Sequence, residues 1–453
     1  MLIHGLVVAD SGSASTDDPV ADSHIADLAA ICEASGVPVG RRLLSTEFNS
    51  TLPEYRLNIT TESGKPVTFP FYASQDITKG GSSYKKAVIF SHGGLRDADK
   101  YFCLGLSLLK TELIRGEILL ITPSFRYHSD VDYKYTRQYS DLYWNSSKGP
   151  AGGDVYSGDW RNGAPADPAS GEIIGRRRSQ MVKAGGEISS YTILDRFVQT
   201  VTDKKYYPNI GGVTVAAHSA GGQLVQRYAL MTHLLSRSEP VMVAKLDFIV
   251  ANPSSYAYMD SRRWKYTCGN CTCGDDDCTC DGACTWDEST LELATYDPAD
   301  AGFVCSQAGA TNWGYGVSNF EAFQYVEDRN VTEAIEDFPQ RSVSYLAGQN
   351  DTCNNNLATC EASCWQNPAT STHNQLCYRN SMDTRCGAML QGPYRRGRAR
   401  KYHDYLMSYY GNTADLNSHA YTEIDGCGHD ASCMFSSDTA QAKLKAVAIP
   451  VEL

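Results

Sequence analysis

The chain has 453 residues, of which 42% are hydrophobic, and a formal net charge of −12 at pH 7. This negative balance disfavours nucleic acid and anionic membrane surfaces as partners, because both are polyanionic. No stretch approaches the roughly 20 consecutive apolar residues of a transmembrane helix. The hydrophobic share is ample for a large core, so these numbers fit one enlarged globular domain.

The N-terminal part, residues 1–50, is expected to be an extension that precedes this domain. Residues 1–9 are a short apolar run without the basic start of a full signal peptide, which fits a truncated signal remnant. One domain is predicted over residues 51–453, because no linker-like stretch or internal repeat separates two patterns. The excess length is assigned to insertions at about 127–176, 262–300 and 353–390.

Short apolar runs bounded by turn residues predict the first strands. They lie at residues 54–60, 67–72, 86–91 and 117–122. The third run leads into a loop that reads His92-Gly93-Gly94-Leu95. Glycines there let a backbone N–H approach a substrate carbonyl, as an oxyanion hole requires. Gly94 is the predicted donor, Leu95 is the near alternative and a candidate substrate contact, and His92 is expected to be a scaffold residue.

Residues 127–176 are rich in Tyr, Trp, Asp, Gly and Asn and show no sustained helical or strand period. A long aromatic loop after a strand that ends near a site is a candidate substrate-binding wall, and Tyr143 and Trp144 are its candidate contacts. The alternative is an ordered surface loop that is held by buried rings.

A strand pattern at residues 213–217 runs directly into Ser219, between helical patterns at 189–202 and 222–235. Small residues flank the serine, so the strand and the helix are joined by a turn too tight for larger side chains. This pattern predicts a nucleophile elbow, in which the serine Oγ is exposed and the N–H of Ala220 points at the attacked group. Short motifs also arise by chance, so the alternative is a Gly/Ser turn that joins a strand to a helix and has no catalytic role.

The two residues that directly precede Ser219 are Ala217 and His218, and each leads to a further prediction. The usual elbow is G-x-S-x-G, and Ala217 stands where the first glycine is expected, which a tight turn still accommodates. His218 is a candidate substrate contact, and the alternative is that it packs beneath the serine.

A serine hydroxyl needs a base, and the base needs an orienting carboxylate. Further strand patterns occur at residues 246–251, 342–346 and 421–424. Asp351 follows the second of these and is the candidate acid, while a glycine-rich loop after the third carries His429, the candidate base. The chain order of serine, aspartate and histidine favours a Ser-His-Asp triad. Asp383 and Asp430 are the alternative carboxylates.

The chain contains 16 cysteines, and six of them lie within residues 268–284. Their even number and their positions in loops favour disulfides, and therefore a secreted or extracytoplasmic protein. Short N-glycosylation patterns agree with this interpretation and occur at Asn49, Asn58, Asn145, Asn270 and Asn330. Cys427 and Cys433 bracket His429 and are expected to be bridged to each other or to a cysteine within 353–386.

Two metal sites are the alternatives for the cysteine-rich segment. Zinc would use its thiolates, whereas calcium would use an EF-hand-like spacing that includes Asp277, Asp281 and Glu288. Cysteines interrupt that spacing and no convincing helix precedes it. The prediction is therefore that the protein has no metal ligands. The chemistry of the predicted triad requires no metal or organic cofactor.

A single strongly basic run lies at residues 395–401. It is predicted to be the solvated face of a helix, and the alternative is a site for an anion or a partner.

With these residues the chain resembles the α/β-hydrolase superfamily, from about residue 55 to about residue 446. The resemblance implies an α/β fold with a mostly parallel, eight-stranded sheet and helices on both faces, enlarged by loop insertions and the cysteine-rich insertion. A narrower similarity, to a largely uncharacterised group of secreted microbial α/β hydrolases, rests on the loop at 92–94 and on segments at 142–144, 251–256, 382–392 and 428–435. Neither resemblance supplies a substrate.

The expected activity is hydrolysis of a carboxylic ester, small or polymeric, through an acyl-enzyme. A peptidase or amidase would use the same groups and is the nearest alternative. A non-catalytic binding ectodomain on the same fold is the remaining one, although such proteins usually lack a triad member.

Overall fold

The computed structural model describes residues 20–34, 52–130, 141–145, 159–168, 170, 185–235, 245–269, 271–273, 278–280, 284–320, 325, 330–352, 382–411 and 418–447. Much of the predicted insertions at 127–176 and 353–390 lies outside these residues. Within them, no helix is both long enough and apolar enough to cross a membrane.

A single eight-stranded sheet organises the molecule. The strands are, in chain order, β1 (Glu54–Thr60), β2 (Pro66–Ala73), β3 (Lys86–Ser91), β4 (Ile118–Pro123), β5 (Gly212–His218), β6 (Lys245–Ala251), β7 (Arg262–Trp264), β8 (Cys271–Cys273), β9 (Cys278–Cys280), β10 (Leu293–Thr295), β11 (Ser342–Gly348) and β12 (His419–Ile424). The order in the large sheet is β1-β2-β4-β3-β5-β6-β11-β12, and all neighbours are parallel except those of β2. All eight predicted strands belong to this sheet, and the small pairs β7 with β10 and β8 with β9 lie outside it.

Helices cover both faces of the sheet. They are α1 (Val20–Ala34), α2 (Ala98–Leu108), α3 (Lys110–Ile114), α4 (Ser190–Thr202), α5 (Ala220–Met231), α6 (Val331–Asp337), α7 (Cys386–Met389), α8 (Arg395–Tyr410), α9 (Ala431–Ser436) and α10 (Asp438–Lys445). The two long predicted helices are present as α4 and α5. The first residue of the pattern at 189–202 is a cap, because Ser189 accepts a hydrogen bond from the N–H of Tyr191.

The central strands are apolar and buried at every position, which is expected of parallel strands covered on both sides. Along β5, Val213 and Val215 face the cluster that holds α4 and α5, whereas Ala216 faces the cluster that holds α2. This alternation places one hydrophobic layer on each face. The predicted architecture, a mostly parallel eight-stranded sheet with helices on both faces, is confirmed.

Disulfides tie the peripheral elements to this frame. The bond between Cys32 and Cys103 joins α1 to α2. The six cysteines of the cysteine-rich segment pair within it, as Cys268 with Cys284, Cys271 with Cys280 and Cys273 with Cys278. Thiolates committed to disulfides are not zinc ligands, so the disulfide interpretation fits this segment. Asp277 and Asp281 of the calcium alternative lie outside the described residues.

The prediction for the basic run was wrong in one respect. The run begins α8, but Arg395, Arg398 and Lys401 are buried, so this helix does not present a purely solvated basic face. Buried guanidinium groups need hydrogen-bond acceptors. Arg398 meets this need by donating to the carbonyl oxygens of Gly392, Ser254 and Asp383. Charge patterning along the sequence does not reveal such acceptors, because they come from distant loops.

The start of α5 packs tightly on the loop after β3. A Cβ atom at Gly221 would lie 2.3 Å from the carbonyl oxygen of His92 and 3.0 Å from Cβ of Ala217. We therefore expect Gly221→Ala to lower the free energy of unfolding by about 2 kcal/mol, as overpacking does. Urea denaturation measures the loss. Gly186→Ala is the control, since its new Cβ would meet Pro168 at an ordinary 3.4 Å. Equal urea midpoints for the two variants would contradict the tight packing at Gly221.

Candidate active site

The parallel strands end at one edge of the sheet, and the predicted site residues follow them there. Ser219 comes after β5, Asp351 after β11 and His429 after β12. Carboxyl ends of parallel strands converge in this way in open α/β sheets, where ligands bind. The structure thus brings together three residues separated by up to 210 positions in the chain.

Ser219 occupies a sharp turn between β5 and α5. Its φ of 59° lies in the left-handed region, which is unusual for a residue other than glycine. The neighbours that make this possible are small or absent side chains at Ala217, Ala220 and Gly221. The N–H of Ser219 donates to the carbonyl oxygen of Ala251 at 2.9 Å, which fixes the turn against β6. Strained backbone of this kind clusters at functional sites.

Hydrogen bonds connect the three side chains in series. The distance between His429 Nε2 and Ser219 Oγ is 2.9 Å, and that between His429 Nδ1 and Asp351 Oδ2 is 2.7 Å. An ionised Asp351 can only accept, so Nδ1 carries the proton and Nε2 is free to accept the serine proton. The alternative carboxylates have other partners. Asp383 accepts from Tyr315 Oη at 2.9 Å, and Asp430 caps α9.

Backbone N–H groups beside the serine find no acceptor among the described residues, and that of Leu95, the near alternative, is one of them. Two more belong to Gly94 and Ala220, the predicted oxyanion donors. The two residues are adjacent in space, because a Cβ at Gly94 would lie 3.6 Å from the Cβ of Ala220. Two unused donors next to a nucleophile are the arrangement that an oxyanion hole needs.

His92 orients this loop. Its Nε2 accepts from the N–H of Phe125 at 3.0 Å, so Nδ1 carries the proton and donates to the carbonyl oxygen of Gly93 at 2.8 Å. Burial lowers the pKa of His92 to about 4, so it stays neutral. The carbonyl of Gly93 and the N–H of Gly94 belong to one trans peptide and point in opposite directions. By holding that carbonyl, His92 fixes the direction of the Gly94 N–H.

The predicted substrate contacts divide into exposed and buried residues. Leu95, the last residue of the loop at 92–95, is 58% exposed and is available for contact. His218 is buried, and its Nδ1 lies 3.2 Å from Tyr101 Oη. The centroid of its ring is 4.4 Å from that of the His429 ring. The burial of His218 fits a packing role, here against Tyr101 and His429, better than a substrate contact. Burial lowers the pKa of His218 well below its ordinary value, so it adds no charge to the site.

Trp144 is a core residue, and its prediction as a substrate contact was wrong. It is fully buried, its indole N–H donates to the carbonyl oxygen of Ala164 at 2.9 Å, and its ring packs against Phe125. Tyr143 is also buried, with its ring against His128. These rings hold the described part of the aromatic loop in place, which is the alternative given by the sequence.

The sequence interpretation missed Asn252, which follows β6 at the same edge. Its Nδ2 donates to the carbonyl oxygen of Gly428 at 3.0 Å, and its Oδ1 accepts from the N–H of Gly348 at 2.7 Å. The side chain thus bridges the turn before Asp351 and the loop that presents His429. Its φ of 45° is tolerated by asparagine better than by most residues. The available signal was its position directly after a predicted strand.

The second missed residue is Arg395. Burial by itself raises the pKa of Asp351, but His429 and Arg395 outweigh it and lower that pKa below its ordinary value. Burial lowers the pKa of His429, and the charge of Arg395 lowers it further, while Asp351 acts in the opposite direction. His429 is also held covalently, because Cys427 and Cys433 on either side of it form a disulfide.

Comparison with known proteins found distant similarities to solved structures. No protein-family model and no curated protein sequence matches the chain. Similar solved structures include a poly(3-hydroxybutyrate) depolymerase from Bordetella parapertussis, with 16% identity over 86% of this chain and 90% of that chain and a TM-score of 0.43. A poly(aspartic acid) hydrolase from Sphingomonas sp. KT-1 has 15% identity over 86% of this chain and 97% of that chain, with a TM-score of 0.43.

A siderophore hydrolase from Aspergillus nidulans is similar at 11% identity over 90% of this chain and 99% of that chain, with a TM-score of 0.34. The strand order of the sheet and the turn after β5 carry the assignment independently of these distant similarities. The chain has the α/β-hydrolase fold. The eight strands of its large sheet, its elbow-like turn and the loop after β3 occupy the places expected for that fold.

We expect removal of the two hydrogen bonds of the Asn252 side chain to lower the catalytic rate. Asn252→Gly keeps the left-handed backbone accessible but removes both hydrogen bonds, so the histidine loop is less well held. A displacement of about 1 Å in a catalytic group costs on the order of 100-fold in rate. For the ester hydrolysis expected from the sequence, with His429 as the predicted base, we therefore expect kcat to fall by about 10- to 100-fold. Steady-state kinetics measure the loss.

The matched control is Asn319→Gly, which changes another asparagine with positive φ, at an exposed position. It should leave kcat unchanged. A normal kcat in Asn252→Gly, or equal losses in the two variants, would contradict a positioning role for the Asn252 side chain.

Proposed function

We propose that the protein is a serine hydrolase that cleaves a carboxylic ester through an acyl-enzyme intermediate. Ser219 is the nucleophile, His429 the general base and acid, and Asp351 the orienting carboxylate. The observation that carries the proposal is the series of hydrogen bonds of 2.9 and 2.7 Å that joins these side chains beside two unused N–H donors. This is the arrangement of a nucleophile activated by an oriented base.

Acylation follows from this geometry. As Ser219 Oγ forms a bond to the ester carbonyl carbon, its proton passes to His429 Nε2. The carbonyl oxygen takes up the negative charge, and the N–H groups of Gly94 and Ala220 stabilise it. The intermediate then collapses: the bond between carbon and the alcohol oxygen breaks, and Nε2 returns its proton to the departing alcohol.

Deacylation repeats the sequence with water. His429 Nε2 accepts a proton from the water molecule as its oxygen attacks the acyl carbon. Collapse of the second intermediate breaks the bond to Ser219 Oγ, which regains the proton, and the carboxylic acid leaves. Throughout, Asp351 keeps the imidazole in the required tautomer and stabilises the imidazolium. An ester is proposed over an amide because an alcohol departs more readily than an amine.

The disulfides support a further part of the proposal. Among the described residues, one disulfide joins α1 to α2 and another joins the two cysteines on either side of His429, so both restrain the folded chain. Such bonds persist in oxidising compartments. We therefore infer a secreted or extracytoplasmic protein. Counting free thiols in the native protein by intact mass tests this inference.

The nucleophile is tested by Ser219→Ala. We expect a fluorophosphonate probe to label the wild type but not the variant, and ester turnover to fall below a few per cent. The fold should persist, because the substitution removes one oxygen at a partly exposed turn. Thermal unfolding by circular dichroism is the control. More than a few per cent residual turnover would refute the nucleophile, and an unlabelled wild type would favour the non-catalytic ectodomain. An ester and amide panel separates esterase from amidase.

The acid is tested by a matched pair of substitutions. Asp351→Asn keeps the shape of the side chain but favours the wrong histidine tautomer, so kcat should fall by about four orders of magnitude. Asp383→Asn should stay within a few-fold of wild type, because the structure places that carboxylate on Tyr315. The reverse outcome in steady-state kinetics would move the acid to Asp383.

A further inference from the structure

We propose that Arg395 is a positioning residue for the triad: its buried guanidinium keeps Asp351 ionised and oriented, and thereby extends activity towards acid pH. The inference rests on the proposed function. Arg395 belongs to the basic run for which the sequence offered an anion site as an alternative. The structure supplies that anion from within the protein.

The geometry places Arg395 between two loops of the site. It is the first residue of α8, and its side chain is 1% exposed. Its Nη1 lies 3.5 Å from Asp351 Oδ1, and its Nε donates to Ser254 Oγ at 3.1 Å. The other oxygen of Asp351, Oδ2, accepts from His429. The two carboxylate oxygens are thus divided between the base and the guanidinium.

Asp351 needs such a partner. Its side chain is 3% exposed, and removal from water disfavours the charged form of a carboxylate. His429 must be neutral before it accepts the serine proton, so in the resting enzyme it supplies a hydrogen bond but no full charge. Arg395 supplies the positive charge, and Asp383 is the other carboxylate that acts on that arginine. A protonated Asp351 would neither hold the required tautomer nor stabilise the imidazolium.

The same charge acts on His429. The groups that face its ring are Asp351, Asp430 and Arg395, together with a neutral His218. Burial, the largest effect, disfavours the imidazolium, and Arg395 disfavours it further, whereas the two carboxylates favour it. A lower histidine pKa leaves the base neutral, and therefore competent, at lower pH. Removing Arg395 raises both the pKa of His429 and that of Asp351, and both changes move the loss of activity on acidification to higher pH.

The test is the pH dependence of kcat/KM for an ester and of the rate of fluorophosphonate labelling. In Arg395→Gln the midpoint of the acid limb should rise by about one pH unit, as expected for loss of a charge close to a titrating group. Arg395→Lys keeps the charge and should keep the midpoint, with a lower kcat at unchanged KM because the planar fork is lost. Loss of packing alone would lower activity at every pH without moving the midpoint.

Arg400→Gln is the matched control. It removes the same charge from the same helix, but Arg400 pairs with Glu288 and Glu423 rather than with Asp351. Its midpoint should equal that of the wild type. A folded Arg395→Gln protein with an unmoved midpoint would overturn the inference, and so would equal shifts in the two variants.

A measurement on the wild type covers the case in which Arg395→Gln does not fold. Burial and the charge of Arg395 both lower the pKa of His429. The inference therefore places the midpoint of wild-type labelling below about 6.5, the ordinary value for histidine. A midpoint at or above that value would overturn it. Absence of both labelling and ester turnover in the wild type would instead refute the triad itself, so the two failures are distinguishable.

Discussion

The carboxamide of Asn252 holds together the parts of the site that the chain supplies separately. One hydrogen bond reaches Gly348 at the end of β11, and the other reaches Gly428 in the loop after β12. The turn before Asp351 and the loop that carries His429 therefore keep a fixed separation. The next residues of the same loop extend this role. Ser254 binds Arg395, and Ser255 accepts from Gln223 and Arg227 of α5. This segment contains none of the three proposed catalytic residues, yet it connects the elements that carry them.

The polar side chains of α5 are buried and therefore need hydrogen-bond partners from neighbouring segments. Every residue of the helix is buried, including Gln226 and Arg227. Gln226 donates to Tyr402 Oη at 2.8 Å and accepts from the N–H of Ala257 at 2.9 Å. Buried polar groups are costly unless they are hydrogen-bonded, so these contacts fix the helix in one orientation. Since the helix begins one residue after Ser219, its orientation also sets that of the proposed nucleophile.

Local patterns predicted most of the fold and the three side chains of the site. Apolar runs located the eight strands to within one or two residues at most ends, because central parallel strands are buried on both faces. Ser219, Asp351 and His429 were recognisable because each follows a strand and has glycine or another small residue nearby. The burial of Trp144 and Arg395 and the bridge at Asn252 were not predicted, because their partners are distant in sequence. Only the folded chain brings those acceptors and rings together.

The disulfide between Cys32 and Cys103 has a consequence for proteolytic processing. It joins α1 to α2 across a separation of 71 positions. Cleavage of any peptide bond between these cysteines would divide the chain into two polypeptides that remain covalently joined. Such a form would migrate as one species without reductant and as two with it. Its helix α1 would stay on the body of the protein after the cut, as part of the smaller chain of a two-chain protein.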